Sequence, residues 1–180
     1  MYLKLLLITM LVTINATQAP SYSEDKEGVY INPEQLKGLP SNVVTELQKM
    51  NCLIPQGILG HTNAIEGEFV VKGQKDWAVL CSINGKSSIH VFWGGPERCP
   101  GAIAERLDGE YLYERGSGVW EYDRGLGKVG EKFILEHYEA YGGVKPPPIT
   151  HDAIEDRWLE KASVVRYCHQ GEWLELTGAD

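Results

Sequence analysis

The residues best suited to chemistry in this chain form one short run, His151-Asp152-Ala153-Ile154-Glu155-Asp156. A histidine and three carboxylates this close together could hold a divalent cation through imidazole and oxygen ligands. They could equally divide general acid and base work between them. The same run also has an architectural use. If a helix starts here, Asp152 as N-cap and Glu155 at the third helical position make a capping box, and acidic residues in a first turn suit the helix dipole. On that helix Asp152, Glu155 and Asp156 share a face. Asp76, at the head of an apolar run, is a further carboxylate that folding could bring to them.

Other motifs carry less. Gly125-Leu126-Gly127-Lys128-Val129-Gly130 matches GxGxxG between a strand and a helix. A dinucleotide site also needs a second parallel strand ending in an acidic residue. Here a proline run, Pro146-Pro147-Pro148, follows the helix instead. The motif reads as a loop leading into a helix cap, and no cofactor is expected. Gly85-Lys86-Ser87 ends like a phosphate loop, but Leu80 stands where that loop needs its first glycine. His61, His90, His137 and His169 have no partner at ligand spacing, and neither GxSxG nor HExxH occurs. Trp77, Trp93, Trp120, Trp158 and Trp173 could line a sugar- or peptide-binding surface, although aromatic residues in strands more often serve the core.

The elements that would position these residues centre on Gly67 to Gly94, which reads as three strands joined by two tight turns. The first is expected around Phe69 to Lys72. The second, Asp76 to Ser82, is apolar on both faces and so belongs in the middle of a sheet. Asn84-Gly85 is a type I′ hairpin signal. Taken literally it sets Leu80 opposite Ile89, Val79 opposite His90, Ala78 opposite Val91 and Trp77 opposite Phe92. Opposed residues share a face, so Ala78, Leu80, Ile89 and Val91 point one way and Trp77, Val79, Cys81 and Phe92 the other.

Helical spacing of Val43, Val44, Leu47 and Met50 marks a helix from Ser41, and Glu131 to Tyr141 marks another. One helical turn is expected at Ala102 to Arg106 and a short helix after His151. Ala162 to His169 and Glu172 to Thr177 form a C-terminal hairpin, with Arg166 facing Glu175, Tyr167 facing Leu174 and Val165 facing Leu176. Hairpins dominate. The fold class is therefore α+β: a single domain with an antiparallel β-meander sheet, a C-terminal hairpin, and helices packed on one face.

The first 19 residues resemble a secretory signal peptide. They have one early lysine, an apolar run from Leu5 to Ile14, and small residues at Ala16 and Ala19 that compete as cleavage sites. That run is too short for a membrane span, and no second one follows. Residues 20–31 read as a flexible leader and residues 32–180 as the domain. The net charge is −8, and loss of Lys4 with the leader makes it one unit more negative. Such a surface repels phosphate backbones, so nucleic acid is not an expected partner. Four cysteines without a CxxC, in an exported chain, suggest two disulfides and argue against zinc or thioredoxin-like chemistry. Cys52–Cys81 follows if the Ser41 helix lies on the Cys81 face, and Cys99–Cys168 remains as the second pair.

The segment GEFVVKGQKDWAVLCSINGKSSIHVFW, together with HDAIED, the KASVVRYCHQGEW hairpin and the terminal LTGAD, resembles a group of exported bacterial proteins. The resemblance spans roughly Leu47 to Asp180 and implies no activity. GEFVVKGQKDWAVL is also similar to half of an FG-GAP-type propeller repeat. The aspartates of that repeat's calcium loop are absent between Lys72 and Lys75, and no second copy occurs. The expected function is that of a secreted or periplasmic non-enzymatic domain that binds a protein or envelope component through the face or edge of its sheet. The alternative is a carboxylate-dependent hydrolase of envelope material, working near Asp76, Asp152 and Glu155.

Overall fold

A computed structural model describes residues 29–57, 63–159 and 161–178; the signal-peptide reading and His61 lie outside them. A short ribbon of β1 (Tyr30–Ile31) and β2 (Ile54–Pro55) flanks helix α1 (Ser41–Lys49). The meander follows as β3 (Ala64–Gly67), β4 (Asp76–Ile83), β5 (Lys86–Phe92) and β6 (Ala102–Leu107), paired in that order and antiparallel. The expected register across Asn84-Gly85 holds at all four pairs, from Leu80↔Ile89 to Trp77↔Phe92.

Two expectations for this sheet fail. Its first strand lies at Ala64–Gly67, before Phe69, because Phe69 leaves the ladder to fill the core and is fully buried. The buried Asp76 carboxylate holds the connecting loop closed by accepting from the Phe69 and Gly94 backbone N–H groups and from the Gln74 amide. The segment at Ala102 is strand β6 rather than a helical turn, since it pairs along the free edge of β5.

Next, β7 (Leu112–Glu114) and β8 (Trp120–Tyr122) form a small hairpin, and the second sheet begins. It contains β9 (Arg124–Val129), β10 (Ala153–Trp158), β11 (Ala162–His169) and β12 (Glu172–Thr177), again in consecutive antiparallel order. Helix α2 (Glu131–Tyr141) connects β9 to β10 and ends at Gly142, whose φ of 78° is a left-handed stop. The hairpin of β11 and β12 has the predicted register, including Arg166↔Glu175. GLGKV, expected as a loop, is strand β9.

The largest departure is HDAIED, which is strand and not helix: Ala153–Trp158 pairs on both sides, with β9 and with β11. No capping box forms. Along a strand the side chains alternate. Ile154 packs in the core between the sheets and Asp156 shares its face, while Ala153 packs among residues of the opposite face. Glu155 and Arg157 belong with Ala153 on that outer face.

The two sheets meet face to face. Ala78, Leu80, Ile89 and Val91 from the meander pack with Leu126 and Ile154 from the second sheet, and Phe69 and Tyr122 are fully buried in the same cluster. The helices do not share one face: each sheet carries one on its outside. Helix α1 presses Val43 and Leu47 onto Val79 and Cys81, and α2 presses Ile134 onto Val165 and Leu176. Each such fully buried side chain contributes about 1.5–3 kcal/mol. Disulfides Cys52–Cys81 and Cys99–Cys168 both form; the first pins the end of α1 to the meander, and the second ties the loop after β5 to β11.

Candidate functional site

The run His151 to Asp156 does not assemble into a cluster. Asp152 is spent on the backbone: its carboxylate accepts from Glu68 N at 3.0 Å, and Lys128 Nζ lies 3.7 Å away. The His151 ring is hydrogen-bonded through Nδ1 to the Asp152 carbonyl at 2.8 Å. Asp76 is the buried loop clamp described above. Among the described residues no group of three or more His, Cys, Asp or Glu side chains could hold a metal ion.

Asp156 is enclosed between the sheets. Arg124 grips it with Nε at 2.8 Å and Nη2 at 3.0 Å, and Arg166 adds Nη1 at 2.7 Å. Arg124, fully buried, also donates to the Ser87 hydroxyl and to the carbonyls of Ser87 and Ala104. The Ser87 hydroxyl continues to the Tyr122 hydroxyl at 2.6 Å, and Tyr122 donates onward to Asp108. Asp108 accepts from Ser82 and Tyr30 as well. Burial and the nearby Asp108 charge raise the Tyr122 hydroxyl far above its ordinary value, so it stays a neutral donor. Every charge here has its partners. The network joins β1, β4, β5, β6, β8, β9, β10 and β11, and it leaves a reactant no approach; its work is structural.

Glu155 is different. It stands on the outer face of β10, under α2, where two adjoining cavities of about 330 and 260 Å³ share Tyr141, Glu155 and Ser163 in their walls. The pairing of β10 with β11 sets Arg157 opposite Ser163 and so brings Glu155, Arg157 and Ser163 to one face. Helix α2 supplies the roof. Phe133, His137 and Tyr141 recur every four residues and their rings touch in turn, with the His137 ring centroid 5.8 Å from Phe133 in a tilted contact and 4.9 Å from Tyr141 edge to face. The floor depends on Gly127, directly opposite Glu155. A Cβ there would collide with the Arg157 guanidinium and lie 2.9 Å from a Glu155 oxygen. Two glycines of the GxGxxG match thus lie within a strand, and Gly127 makes room for the Glu155 and Arg157 side chains above it.

The cleft holds polar capacity that the fold has not used. His137 is only 5% exposed and its Nε2 has no hydrogen-bond partner among the described residues. Arg157 Nε is also without one: Glu155 Oε2 lies 3.3 Å away as an ion-pair contact, outside hydrogen-bond geometry. The same guanidinium donates through Nη2 to the Leu126 carbonyl at 2.9 Å, which fixes its position. Burial pushes the Glu155 carboxyl above its ordinary value, although Arg157, His137 and Ser163 each favour the ionised form. A buried nitrogen left unpaired costs about 1–3 kcal/mol. Such a cost beside a cavity is a mark of a binding site.

Sequence reasoning named Glu155 but gave it the wrong neighbours, and it missed His137, Arg157 and Ser163. His137 was the detectable one, since it falls four residues after Phe133 and four before Tyr141 on a recognised helix. Four of the five tryptophans, Trp77, Trp93, Trp120 and Trp173, pack against the core clusters, whereas Trp158 lines the cleft. Comparison with family models, with curated proteins and with solved structures finds no match to this chain.

Proposed function

We propose that this chain is an exported, non-enzymatic binding domain that holds an envelope component in the cleft between α2 and the outer face of the second sheet. The observation that carries the reading is the buried, unpartnered Nε2 of His137, a residue that lines the cavity together with Glu155 and Ser163. Two disulfides fit an oxidising compartment. The leader-like first 19 residues support export to the periplasm or beyond. No helix among the described residues is long and apolar enough to cross a membrane.

The hydrolase reading has one observation in its favour, the raised Glu155 carboxyl. Asp76, Asp152 and Asp156 are each committed to backbone or arginine partners, and Glu136, the other carboxylate lining the cleft, is exposed at the rim and ion-paired with Lys132. Binding is therefore the better use of this geometry. Capture from a bacterial envelope fraction tests it, with the parent chain compared against Ala140→Trp. Ala140 is an exposed cleft residue, so tryptophan there obstructs the cavity without entering the core. Retention of an envelope component by the parent and its loss in the variant is expected. Equal retention by both overturns the assignment of the cleft.

A further inference from the structure

We infer that the cleft under α2 takes a neutral saccharide, one or two sugar rings long; the inference rests on the binding function proposed above. Three features of the walls lead to it.

The first is charge balance. Glu155 is offset by Arg157, and at the rim Glu136 pairs with Lys132 and Lys161 with Asp123. The cleft therefore presents no net field to recruit an anion or a cation. The second is the mixture of hydrogen-bonding groups, of which Arg157 Nε and His137 Nε2 are unpartnered and the Ser163 hydroxyl is shared with Glu155. Arg157 Nε–H is a donor in need of an acceptor, and the Glu155 carboxylate accepts. The Ser163 hydroxyl does both, and His137 Nε2 does either according to tautomer. A vicinal diol matches such a set, because each hydroxyl donates and accepts at once. A carboxylate ligand would satisfy Arg157 but be repelled by Glu155, and an amine would do the reverse. The third is aromatic surface. Tyr141 is 54% exposed and Phe133 36% exposed at the mouth, whereas the Trp158 ring in the adjoining cavity is covered by Lys161 Nζ. Aromatic faces give a sugar ring's C–H face an apolar platform while its hydroxyls reach inward.

A peptide is the chief competitor, since amides are also neutral and two-sided. Peptides that bind sheets commonly add a strand to a free edge. Glu155 and Ser163 stand on β10 and β11, the two inner strands of the sheet, with β9 and β12 outside them. The cleft offers no unpaired backbone ladder. Of the two cavities, that of about 330 Å³ sits at the lower end of the roughly 300–1,000 Å³ usual for small-molecule sites, and that of about 260 Å³ falls just below it. That suits one or two rings.

The test is a titration of the ¹⁵N-labelled, disulfide-bonded chain with neutral disaccharides (di-N-acetylchitobiose, cellobiose and maltose). Triglycine amide and sodium acetate are the competing arms, each carried to about 10 mM, tenfold above a millimolar Kd. At least one disaccharide is expected to give saturable shifts at Glu155, Ser163 and Gly178. His137→Leu and Ala140→Trp should each weaken them at least tenfold. The Ala140→Trp arm keeps the test valid if His137→Leu perturbs the fold. The inference is overturned if no disaccharide shifts these signals, if the peptide or acetate does so instead, or if both variants bind like the parent. Loss of the saccharide result with cleft-dependent envelope capture intact removes only the ligand class. Loss of both removes the binding reading as well.

Discussion

Asp156 and Glu155 are chain neighbours with opposite fates, decided by which side of one strand each occupies. Asp156 faces inward, where Arg124 and Arg166, with side chains 1% and 3% exposed, neutralise it. Removing one member of such a group strands the others without compensation, typically at about 3–5 kcal/mol. Asp156→Ala is accordingly expected to lower unfolding stability in urea by about that amount, while Asp152→Ala, at a half-exposed position, costs clearly less. Glu155 faces outward, and burial has raised its carboxyl above the ordinary 4.5. A raised folded-state value means that the protonated form is favoured by folding. That contribution is fully present below pH 4.5 and is lost as pH rises through the folded value. Glu155→Gln, uncharged throughout, should therefore be more stable than the parent at pH 7, with the gap closing towards pH 4. A gap that widens in acid would show that Glu155 is held ionised by Arg157 and His137. Sequence could list these carboxylates but not sort them. The sorting depends on arginines 32 and 10 residues away along the chain.

At the scale of elements, β4 and β5 were legible because several local signals agree. β4 is apolar on both faces, and Asn84 and Gly85, with φ of 53° and 79°, form the turn that their types favour. Gly85→Ala places a Cβ in the left-handed region and should destabilise the fold by about 1–2 kcal/mol, measurable by thermal or chemical unfolding. The Glu131 helix was equally legible in extent but not in orientation. Its apolar residues Phe133, Leu135 and Tyr141 are exposed, while Ile134 and His137 are the buried ones. The strands at Ala153 and Arg124 were hidden for a different reason. Their sequences, AIEDRW and RGLGKV, carry charges and glycines where a strand usually shows an alternating apolar face. Those glycines and charges have partners only across the sheet, so the tertiary fold overrides local propensity.

At the scale of the molecule, the order α1, meander, second sheet, α2 gives each sheet an apolar inner face and one helical cover. Both disulfide pairings were inferable, since a correct hairpin register put Cys81 on the face that α1 had to cover. The bridges close segments of 29 and 69 residues. On chain entropy alone the longer one constrains the unfolded chain by about 0.8 kcal/mol more. Replacing Cys99 and Cys168 by serine should thus lower stability more than replacing Cys52 and Cys81, within a typical range of about 2–4 kcal/mol for each bridge. Comparing denaturation midpoints of the two double variants checks this. The packing of two sheets was less legible than their hairpins, because no local signal says which inner face meets which.

The central claim is that the cleft roofed by Phe133, His137 and Tyr141 is where this protein meets its ligand. Mapping amide chemical shifts of the labelled chain against a soluble envelope extract tests it most directly. Perturbations are expected to concentrate on α2, Glu155, Ser163 and Gly178, and to disappear in Ala140→Trp. Perturbations confined to the free edge at β6, unchanged by that substitution, would contradict it.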